Sequence, residues 1–411
     1  MKTIKRDEYL DFLIRSKDKQ IIKVVSGVRR CGKSTLFEIY QDYLQKEGVD
    51  SQEIHTINFE NIDYEELTDY KKLYNYLKSR LITNKMNYIF LDEIQHVDKF
   101  EKVVDSLFIM KNVDIYITGS NAFFMSGELA TLLTGRYIEL KMLPLSFKEY
   151  LQGVEEYQKF KNLTSSNTLL ENYQNYLLNS SFPYTLQLEG NKKNINEYLQ
   201  GIYSSILLKD VVTRIKVSDV MMLESIIKFL FDNIGNLFST TKISNTMTSI
   251  GRKIDQKTVE KYLKGLTDSL ILYEVNRYNI KGKNLLATLS KYYVVDIGLR
   301  QMLLGNRNMD LGHILENIVY LELLRRETHI YVGQFGDTEV DFVTISSDKI
   351  AYYQVALTVL DENTLKRELK PLEKISDNYP KFLLTLDDSI IEGDYNGIKI
   401  LNAIKWLKGG E

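Results

Sequence analysis

The sequence predicts an α/β protein that begins with a parallel β-sheet and continues into a helical part, a helix-and-hairpin part and a second α/β part. From Ile21 onwards, four apolar strand-like runs (IIKVVSG, HTINF, YIFLDEI and DIYITGS) alternate with helical stretches. This alternation is typical of parallel sheets with crossover helices. We therefore expect a parallel sheet within residues 1–145.

Length and charge exclude several classes of protein. The chain has 411 residues, 53 basic and 55 acidic side chains and a net charge near −2. The balanced charge leaves only a local basic surface for nucleic-acid binding. The single cysteine, Cys31, excludes an internal disulfide, and with the absence of an apolar leader it predicts a cytoplasmic location. No apolar run approaches the roughly 18 residues that span a bilayer, so we expect no membrane role.

Residue patterns divide the chain into four predicted domains. Residues 1–145 hold the sheet, and residues 146–220 have helical spacing without strand runs, which predicts a helical lid. Residues 221–300 read as three helices and a hairpin, which is a winged-helix pattern. Residues 301–411 mix helices and strands in a compact α/β domain. The third winged-helix helix carries an apolar stripe formed by Val259, Tyr262, Leu263, Leu266 and Leu270.

A phosphate-binding loop is predicted where GVRRCGKS matches G-x-x-x-x-G-K-[ST] between a strand-like run and a helical run. Glycines let backbone N–H groups wrap phosphates, and the helix N-terminus favours negative charge. We expect Lys33 to reach the β and γ phosphates, Ser34 to bind Mg²⁺ and Thr35 to support packing or an outer phosphate contact. The predicted nucleotide-binding residues of the loop are Gly27, Arg30, Cys31, Gly32, Lys33, Ser34 and Thr35.

Cys31 is the unusual residue of this loop, and two interpretations compete. A helix N-terminus lowers the pKa of a nearby thiol, which would make Cys31 a site of oxidation or alkylation. In the alternative, which we prefer, Cys31 is a small spacer.

The second half of a nucleotide site is predicted in YIFLDEIQ. Asp92 would hold Mg²⁺, and Glu93 would orient or deprotonate the attacking water. Because adjacent strand residues point to opposite faces, Glu93 must lie past the end of the strand to reach the same site. The alternative is a solvated acidic pair that ends a buried strand.

Two later segments supply further candidates. DIYITGSNAF ends in Ser120 and Asn121, which could hydrogen-bond the γ-phosphate or the water. Arg136, in LLTGRYIEL, could complete phosphate neutralisation in cis or across a subunit interface, because its guanidinium is always charged and bidentate. The alternative for Arg136 is a surface or lid salt bridge.

Together, SGVRRCGKSTL, YIFLDEIQHV, YITGSN, LLTGRYIEL and PLSFKEYL resemble the bacterial and archaeal AAA-type P-loop ATPases with a C-terminal restriction-endonuclease-like domain. The resemblance spans nearly the whole chain and implies ATP as the nucleotide. One departure is SSFPY at 180–184, where such proteins often have Gly-Gly before Phe-Pro, so the turn must tolerate side chains. The implied roles are Walker A for Lys33 and Ser34, Walker B for Asp92 and Glu93, first sensor for Asn121 or Ser120, arginine finger for Arg136, and a weak second-sensor candidate in Arg214.

The predicted winged helix would present its third helix to the DNA major groove and its KGKN hairpin tip to the phosphates. Interleaved acidic residues, notably Asp255, Glu260 and Asp268, weaken the positive field. DNA contact and protein contact therefore both stay open as the role of this unit. The basic candidates are Lys257, Lys261, Arg277, Lys281 and Lys283.

The last domain carries a degenerate nuclease-like pattern. A metal-dependent nuclease of the PD-(D/E)xK type needs a helix acid, a strand aspartate and an acid-x-lysine on the next strand. Glu316 and Asp341 fit the first two positions, but Gln354 and Ala356 stand in place of the third acid and the lysine. We expect no cleavage unless Lys349 or Lys366 substitutes for that lysine, and we expect the fold to serve docking or nucleic-acid binding.

These observations predict Mg²⁺-dependent ATP binding and hydrolysis, coupled to DNA through the winged-helix and nuclease-like domains. The alternative is a slow nucleotide switch that controls protein–protein interactions without a nucleic-acid role. Assembly into an oligomer through Arg136 is left open.

Overall fold

The computed structural model describes residues 4–119, 133, 135–161, 167–305, 310–327, 329–346, 349–388 and 393–410. The chain divides into two units, one built chiefly from the residues up to Pro144 and the other chiefly from those beyond it. The sensor candidates Ser120 and Asn121 lie outside the described residues. Across the described ranges, no helix is long and apolar enough to cross a membrane.

The first unit alternates strands and helices. Its elements are α1 (Asp7–Arg15), β1 (Ile22–Gly27), α2 (Lys33–Lys46), β2 (Ile54–Asn58), α3 (Tyr70–Lys78), β3 (Asn87–Asp92), α4 (Phe100–Phe108), β4 (Val113–Thr118) and β5 (Tyr137–Met142). The strands lie in the order β2-β3-β4-β1-β5, and every pairing is parallel. All residues of β1, β3 and β4 are buried, as expected for central strands covered on both faces. The predicted α/β fold with a parallel sheet is confirmed.

One hydrophobic core joins the sheet to the helices α3 and α4. Apolar residues one helical turn apart face the strands and leave the charged residues of each helix exposed or half-buried. The buried members from these helices are Leu73, Leu77, Phe100, Val103, Val104 and Leu107.

A buried ion pair links β1 to β4. The side chains of Lys23 and Asp114 are 0% and 2% exposed and form a salt bridge. Asp114 also accepts a hydrogen bond of 2.7 Å from the Tyr116 hydroxyl. Burial lowers the pKa of Lys23 and raises the pKa of Asp114, and the attraction between the two groups opposes both shifts. Because a buried charge is costly without its partner, this contact holds the two adjacent strands in register.

Beyond Pro144 the chain is first helical and then mixed. The elements are α5 (Phe147–Lys161), α6 (Leu169–Asn179), α7 (Lys192–Ser205), α8 (Val220–Asp232), β6 (Leu237–Phe238), α9 (Thr240–Ser249), α10 (Gln256–Asp268), β7 (Leu272–Asn279), β8 (Asn284–Val294), α11 (Ile297–Leu304), α12 (Leu311–Arg326), β9 (His329–Phe335), β10 (Thr338–Ser346), β11 (Lys349–Ala356), α13 (Glu362–Glu373), β12 (Lys381–Thr385), β13 (Gly393–Tyr395), β14 (Ile398–Asn402) and α14 (Ala403–Leu407). Helix α7 continues through a π-helical segment at Ile206–Val212.

The hairpin of the predicted winged helix belongs to a larger sheet. Strand β7 pairs with β8 on one side and with β9 on the other, within the strand order β13-β14-β12-β11-β10-β9-β7-β8-β6. The boundary predicted at residue 300 therefore falls between elements of a single sheet, and the division into four domains stays a prediction. The apolar stripe of α10 is buried at all five positions, although the helix ends before Leu270.

The turn at residues 180–184 carries a side chain in a conformation that favours glycine. Ser180 has a φ of +76°, in the left-handed region that most residues avoid. The next residue is held in place because the backbone N–H and the hydroxyl of Ser181 both donate to Asp296 Oδ2, at 2.7 and 2.6 Å. The turn thus tolerates serine at the position where glycine was expected.

Candidate nucleotide-binding site

The phosphate-binding loop leaves the carboxyl end of β1 and runs into the N-terminus of α2. Gly27 ends β1, and a Cβ atom there would lie 2.4 Å from the backbone oxygen of Met142 and 2.9 Å from Cys31 Sγ. Gly32 precedes α2 with a φ of +104°, which glycine adopts without strain. The close approach of Met142 therefore requires glycine at position 27, and the backbone conformation requires glycine at position 32.

A buried arginine from outside the motif supports the loop. Arg6 is 3% exposed, and its guanidinium donates to the backbone oxygens of Cys31 at 3.0 Å and Leu143 at 2.7 Å. Cys31 itself is fully buried, and burial raises the pKa of its thiol. A buried thiol with a raised pKa is a poor nucleophile. The structure therefore favours the spacer interpretation of Cys31 over the reactive thiol.

The other predicted loop residues differ in exposure. Arg30 is exposed and has a φ of +66°. Ser34 is exposed at the first turn of α2, and Thr35 is half-buried.

Lys33 lies between the loop and the end of β3. Its side chain is 5% exposed, and its ammonium donates to the backbone oxygen of Gly27 at 3.3 Å. The ammonium also lies 3.7 Å from Glu93 Oε1. The Walker A lysine and the second Walker B acid thus form an ion pair.

Asp92 ends β3 and is surrounded by donors. Its carboxylate accepts from Asn58 Nδ2 at 3.1 Å, from the Thr118 hydroxyl and from the Ser34 hydroxyl. Burial raises the pKa of Asp92, and the hydrogen bonds from Ser34 and Thr118 oppose that shift. Ser34, in the first turn of α2, and Asp92, at the end of β3, are therefore in direct contact.

Glu93 lies one residue beyond the strand, where the chain turns. Its φ is +55°, in the left-handed region, which is uncommon for a residue with a side chain. Its backbone N–H donates to the Thr118 hydroxyl at 3.0 Å, and its Oε2 accepts from Gln95 Nε2 at 2.5 Å. This turn places the carboxylates of adjacent residues in the same site.

Arg136 lies at the opposite edge of the sheet. It precedes β5, and its backbone oxygen accepts from the N–H of Ile22 at the start of β1. The phosphate-binding loop begins five residues further along β1, about 17 Å away at the usual rise per strand residue. An arginine side chain does not span that distance in this arrangement, so a role of Arg136 at the phosphates, in cis or across a subunit interface, stays a prediction. Its guanidinium contacts Asp105 at 2.8 Å and is half exposed.

The three residues of the nuclease-like pattern come from neighbouring elements of the second unit. Glu316 lies on α12, Asp341 on β10 and Gln354 on β11. Gln354 Oε1 accepts from the Asp341 N–H at 3.4 Å, and Asp341 Oδ2 accepts from the Val355 N–H at 2.8 Å. Burial and the nearby Glu316 carboxylate raise the pKa of Asp341 to about 8. Sequence spacing thus predicted residues that lie in one region of the fold.

The lysine of this cluster is one that the sequence analysis did not propose. Lys291, on β8, lies 2.7 Å from Glu316 Oε1 and 3.7 Å from Asp341 Oδ1. Lys349 begins β11, five residues before Gln354, and is exposed. Lys366 is also exposed and pairs with Glu362 at 2.5 Å. Neither predicted substitute is part of the cluster that Lys291 enters.

Comparison with known proteins identifies relatives along nearly the whole chain. An uncharacterised protein of Haemophilus influenzae is 40% identical over 406 residues, which are 98% of this chain and 98% of that protein. An uncharacterised protein of Methanocaldococcus jannaschii is 32% identical over 368 residues, covering 86% of this chain and 78% of that protein. The chain belongs to their family.

Comparisons of individual segments and of the fold agree with a nucleotide-binding site in the first unit. Residues 19–151 match the AAA domain family, and residues 170–310 match a domain of unknown function, DUF8612. A Walker-type ATPase of Pyrococcus abyssi has a similar fold, with a TM-score of 0.51 and 16% identity over 73% of this chain and 96% of that protein. The first unit of this family member therefore has the AAA-type P-loop fold that the resemblance implied.

Two residues of the AAA domain site escaped sequence reasoning. Asn58 ends β2 and Thr118 ends β4, and both contact Asp92 on the strand that lies between them. Polar residues at the carboxyl ends of strand-like runs are the signal that could have found them. Predicting that Asn58 and Thr118 contact Asp92 would have required the strand order, which cannot be read from the sequence.

We expect Thr118→Val to destabilise the AAA domain. The substitution keeps the shape of the side chain and removes the hydroxyl that bridges the Asp92 carboxylate and the Glu93 N–H. Loss of a hydrogen bond to a buried charge should lower the free energy of unfolding by about 1–3 kcal/mol in urea titrations. Thr118→Ser, which keeps the hydroxyl, should lose distinctly less. Equal losses in the two variants would contradict the bridging role.

Proposed function

We propose that this protein binds ATP with Mg²⁺ and hydrolyses it. The observation that carries the proposal is the meeting of Lys33, Ser34, Asp92 and Glu93 at the carboxyl edge of the five-stranded sheet. One cation, one hydroxyl and two carboxylates are the groups that phosphoryl transfer to water requires. The AAA-type fold of the first unit supports the same assignment.

The oxygen donors fit a magnesium ion. Mg²⁺ prefers carboxylate and hydroxyl oxygens together with phosphate oxygens. The Ser34 hydroxyl and the Asp92 carboxylate are already in contact, and they are the residues that would hold the ion. When bound, Mg²⁺ would neutralise charge on the β and γ phosphate oxygens.

The Lys33–Glu93 ion pair suggests how ATP binding makes the Glu93 carboxylate available as a general base. Phosphate oxygens compete with Glu93 for the Lys33 ammonium, because they carry more negative charge than one carboxylate. Once Lys33 turns to the phosphates, the Glu93 carboxylate is free to accept a proton from water. The water oxygen then bonds to the γ-phosphorus, and the bond to the β–γ bridging oxygen breaks. ADP and inorganic phosphate leave.

We expect Glu93→Gln to lower steady-state phosphate release from ATP by about 100-fold or more, which is the usual effect of removing a general base. Glutamine keeps the size of the side chain but accepts no proton. Binding of ATP, measured by calorimetry, should persist in this variant because Lys33 and the loop are intact. A Glu93→Gln rate within a few-fold of wild type would contradict the role of Glu93.

We further propose that duplex DNA is the ligand coupled to ATP turnover. The helices and hairpin at 220–294 follow the order of a winged helix, and Lys257 and Lys261 of α10 are exposed. Lys281 and Lys283 are exposed at the hairpin turn. Arg277 is a weaker candidate than the sequence implied, because its guanidinium donates to Gln334 of β9. Exposed lysines on one helix can contact phosphates without a basic net charge.

The DNA proposal predicts that reversing the charge of two lysines weakens the binding of duplex DNA and its dependence on salt. In the double variant Lys257→Glu/Lys261→Glu, the slope of log affinity for duplex DNA against log salt should fall by about 0.9 for each lost phosphate contact. Fluorescence anisotropy with labelled duplex measures this slope. The matched control Lys71→Glu/Lys72→Glu changes the net charge equally, on the exposed side of α3, and should leave the slope unchanged.

Wild type that binds no duplex would contradict the DNA proposal while leaving ATP hydrolysis untouched. Turnover that is very slow and indifferent to DNA, with an assembly state that changes between ATP and ADP, would instead support the nucleotide switch. Gel filtration with each nucleotide tests that outcome, and it also tests whether the protein assembles into an oligomer, which the sequence leaves open.

A further inference from the structure

A second cluster of buried charges lies in the nine-stranded sheet, and the proposed function does not use it. At its centre is the ammonium of Lys291, which lies 2.7 Å from Glu316 Oε1, 2.8 Å from Glu339 Oε1 and 3.7 Å from Asp341 Oδ1. Lys291 is 4% exposed, and Glu316 is 8% exposed. We call these four residues the Lys291 cluster.

A nuclease of the type predicted for this domain would hold a divalent metal between Glu316 and Asp341. Such an ion would need the two oxygens that face Lys291, at about 2.0–2.1 Å for Mg²⁺. An ammonium 2.7 Å from Glu316 Oε1 leaves no room for it, and two cations repel each other in a buried site. Among the residues that the structure describes, no group of three metal-binding side chains is arranged to hold an ion.

The third predicted ligand is also engaged elsewhere. The carbonyl oxygen of Gln354, its only group able to bind a metal, accepts from the Asp341 N–H. Its amide nitrogen donates to Glu368 Oε2 at 3.1 Å. The residues present therefore do not fit the metal that the nuclease pattern implies.

We propose that the Lys291 ammonium takes the place of the metal ion, so that the Lys291 cluster is a metal-independent joint between β8 and the elements α12 and β10. The lysine reaches its partners from a strand that belongs to the predicted winged helix. It therefore ties that hairpin to the C-terminal strands through charge, in addition to the backbone pairing of β7 with β9.

Backbone and side-chain contacts both hold Lys291 in this position. Its strand is paired on both sides at this residue, with Val275 of β7 and Leu237 of β6. Two positions further along β8, the Tyr293 hydroxyl donates to the same Glu316 oxygen at 2.6 Å. A metal that displaced the ammonium would leave it buried without its partners, which is strongly unfavourable. The lysine is thus the preferred cation of this cluster.

Calorimetric titration of Mn²⁺ into the full-length, nucleotide-free protein tests this proposal. Lys291→Met exposes the oxygens of Glu316 and Asp341 to solvent ions, so it should bind one more Mn²⁺ per chain than wild type. The double variant Lys291→Met/Asp341→Asn should no longer bind that extra ion. Any Mn²⁺ bound elsewhere is common to all variants and cancels in the comparison.

Removal of Lys291 leaves three carboxylates close together, so the single variant is at risk of unfolding. Lys291→Met/Glu339→Gln removes one of these negative charges, keeps the Glu316–Asp341 pair and should gain the same ion. Two results would overturn the proposal. In one, wild type binds more Mn²⁺ than Asp341→Asn, which would mean that a metal enters beside Lys291. In the other, the folded Lys291→Met variants bind no more Mn²⁺ than wild type.

Discussion

The carboxyl ends of parallel strands meet at one edge of a sheet, and the candidate site depends on this constraint. The order β2-β3-β4-β1-β5 sets β4 between the strand that opens the phosphate-binding loop and the strand that ends in Asp92. Thr118, at the end of β4, is therefore in a position to contact both Walker B residues. The buried Lys23–Asp114 pair stabilises the same strands from within. Without this order, the loop lysine and the two acids would not share a site.

Local patterns predicted the parts of the site that depend on local structure. The phosphate-binding loop and the acidic pair were identified because each is a short motif next to an apolar strand, and even the turn at Glu93 followed from strand geometry. Asn58 and Thr118 were not identified because their role depends on which strands are neighbours. Arg136 was proposed to act in cis or across a subunit interface because sequence distance does not reveal at which edge of the sheet a residue lies.

The second unit shows more clearly that the sequence does not reveal which strands are neighbours. Glu316, Asp341 and Gln354 were predicted from the spacing of one pattern, and they do lie near one another. Lys291 was not predicted, because it precedes Glu316 by 25 positions on a strand that the sequence assigned to a different domain. Pairing of β7 with β9 makes the two predicted domains share a sheet. A buried lysine that pairs with acidic residues of another predicted domain cannot be identified until the strand pairing is known.

The most direct test of the account is calorimetric titration of ATP into the wild-type protein and Lys33→Ala, each with and without Mg²⁺. The account predicts binding by wild type that strengthens with Mg²⁺ and weakens by about 10- to 100-fold in Lys33→Ala, since the variant loses charge-assisted hydrogen bonds to the phosphates. Equal affinity in the two proteins, or no binding by wild type, would contradict the assignment of the carboxyl edge as a nucleotide site.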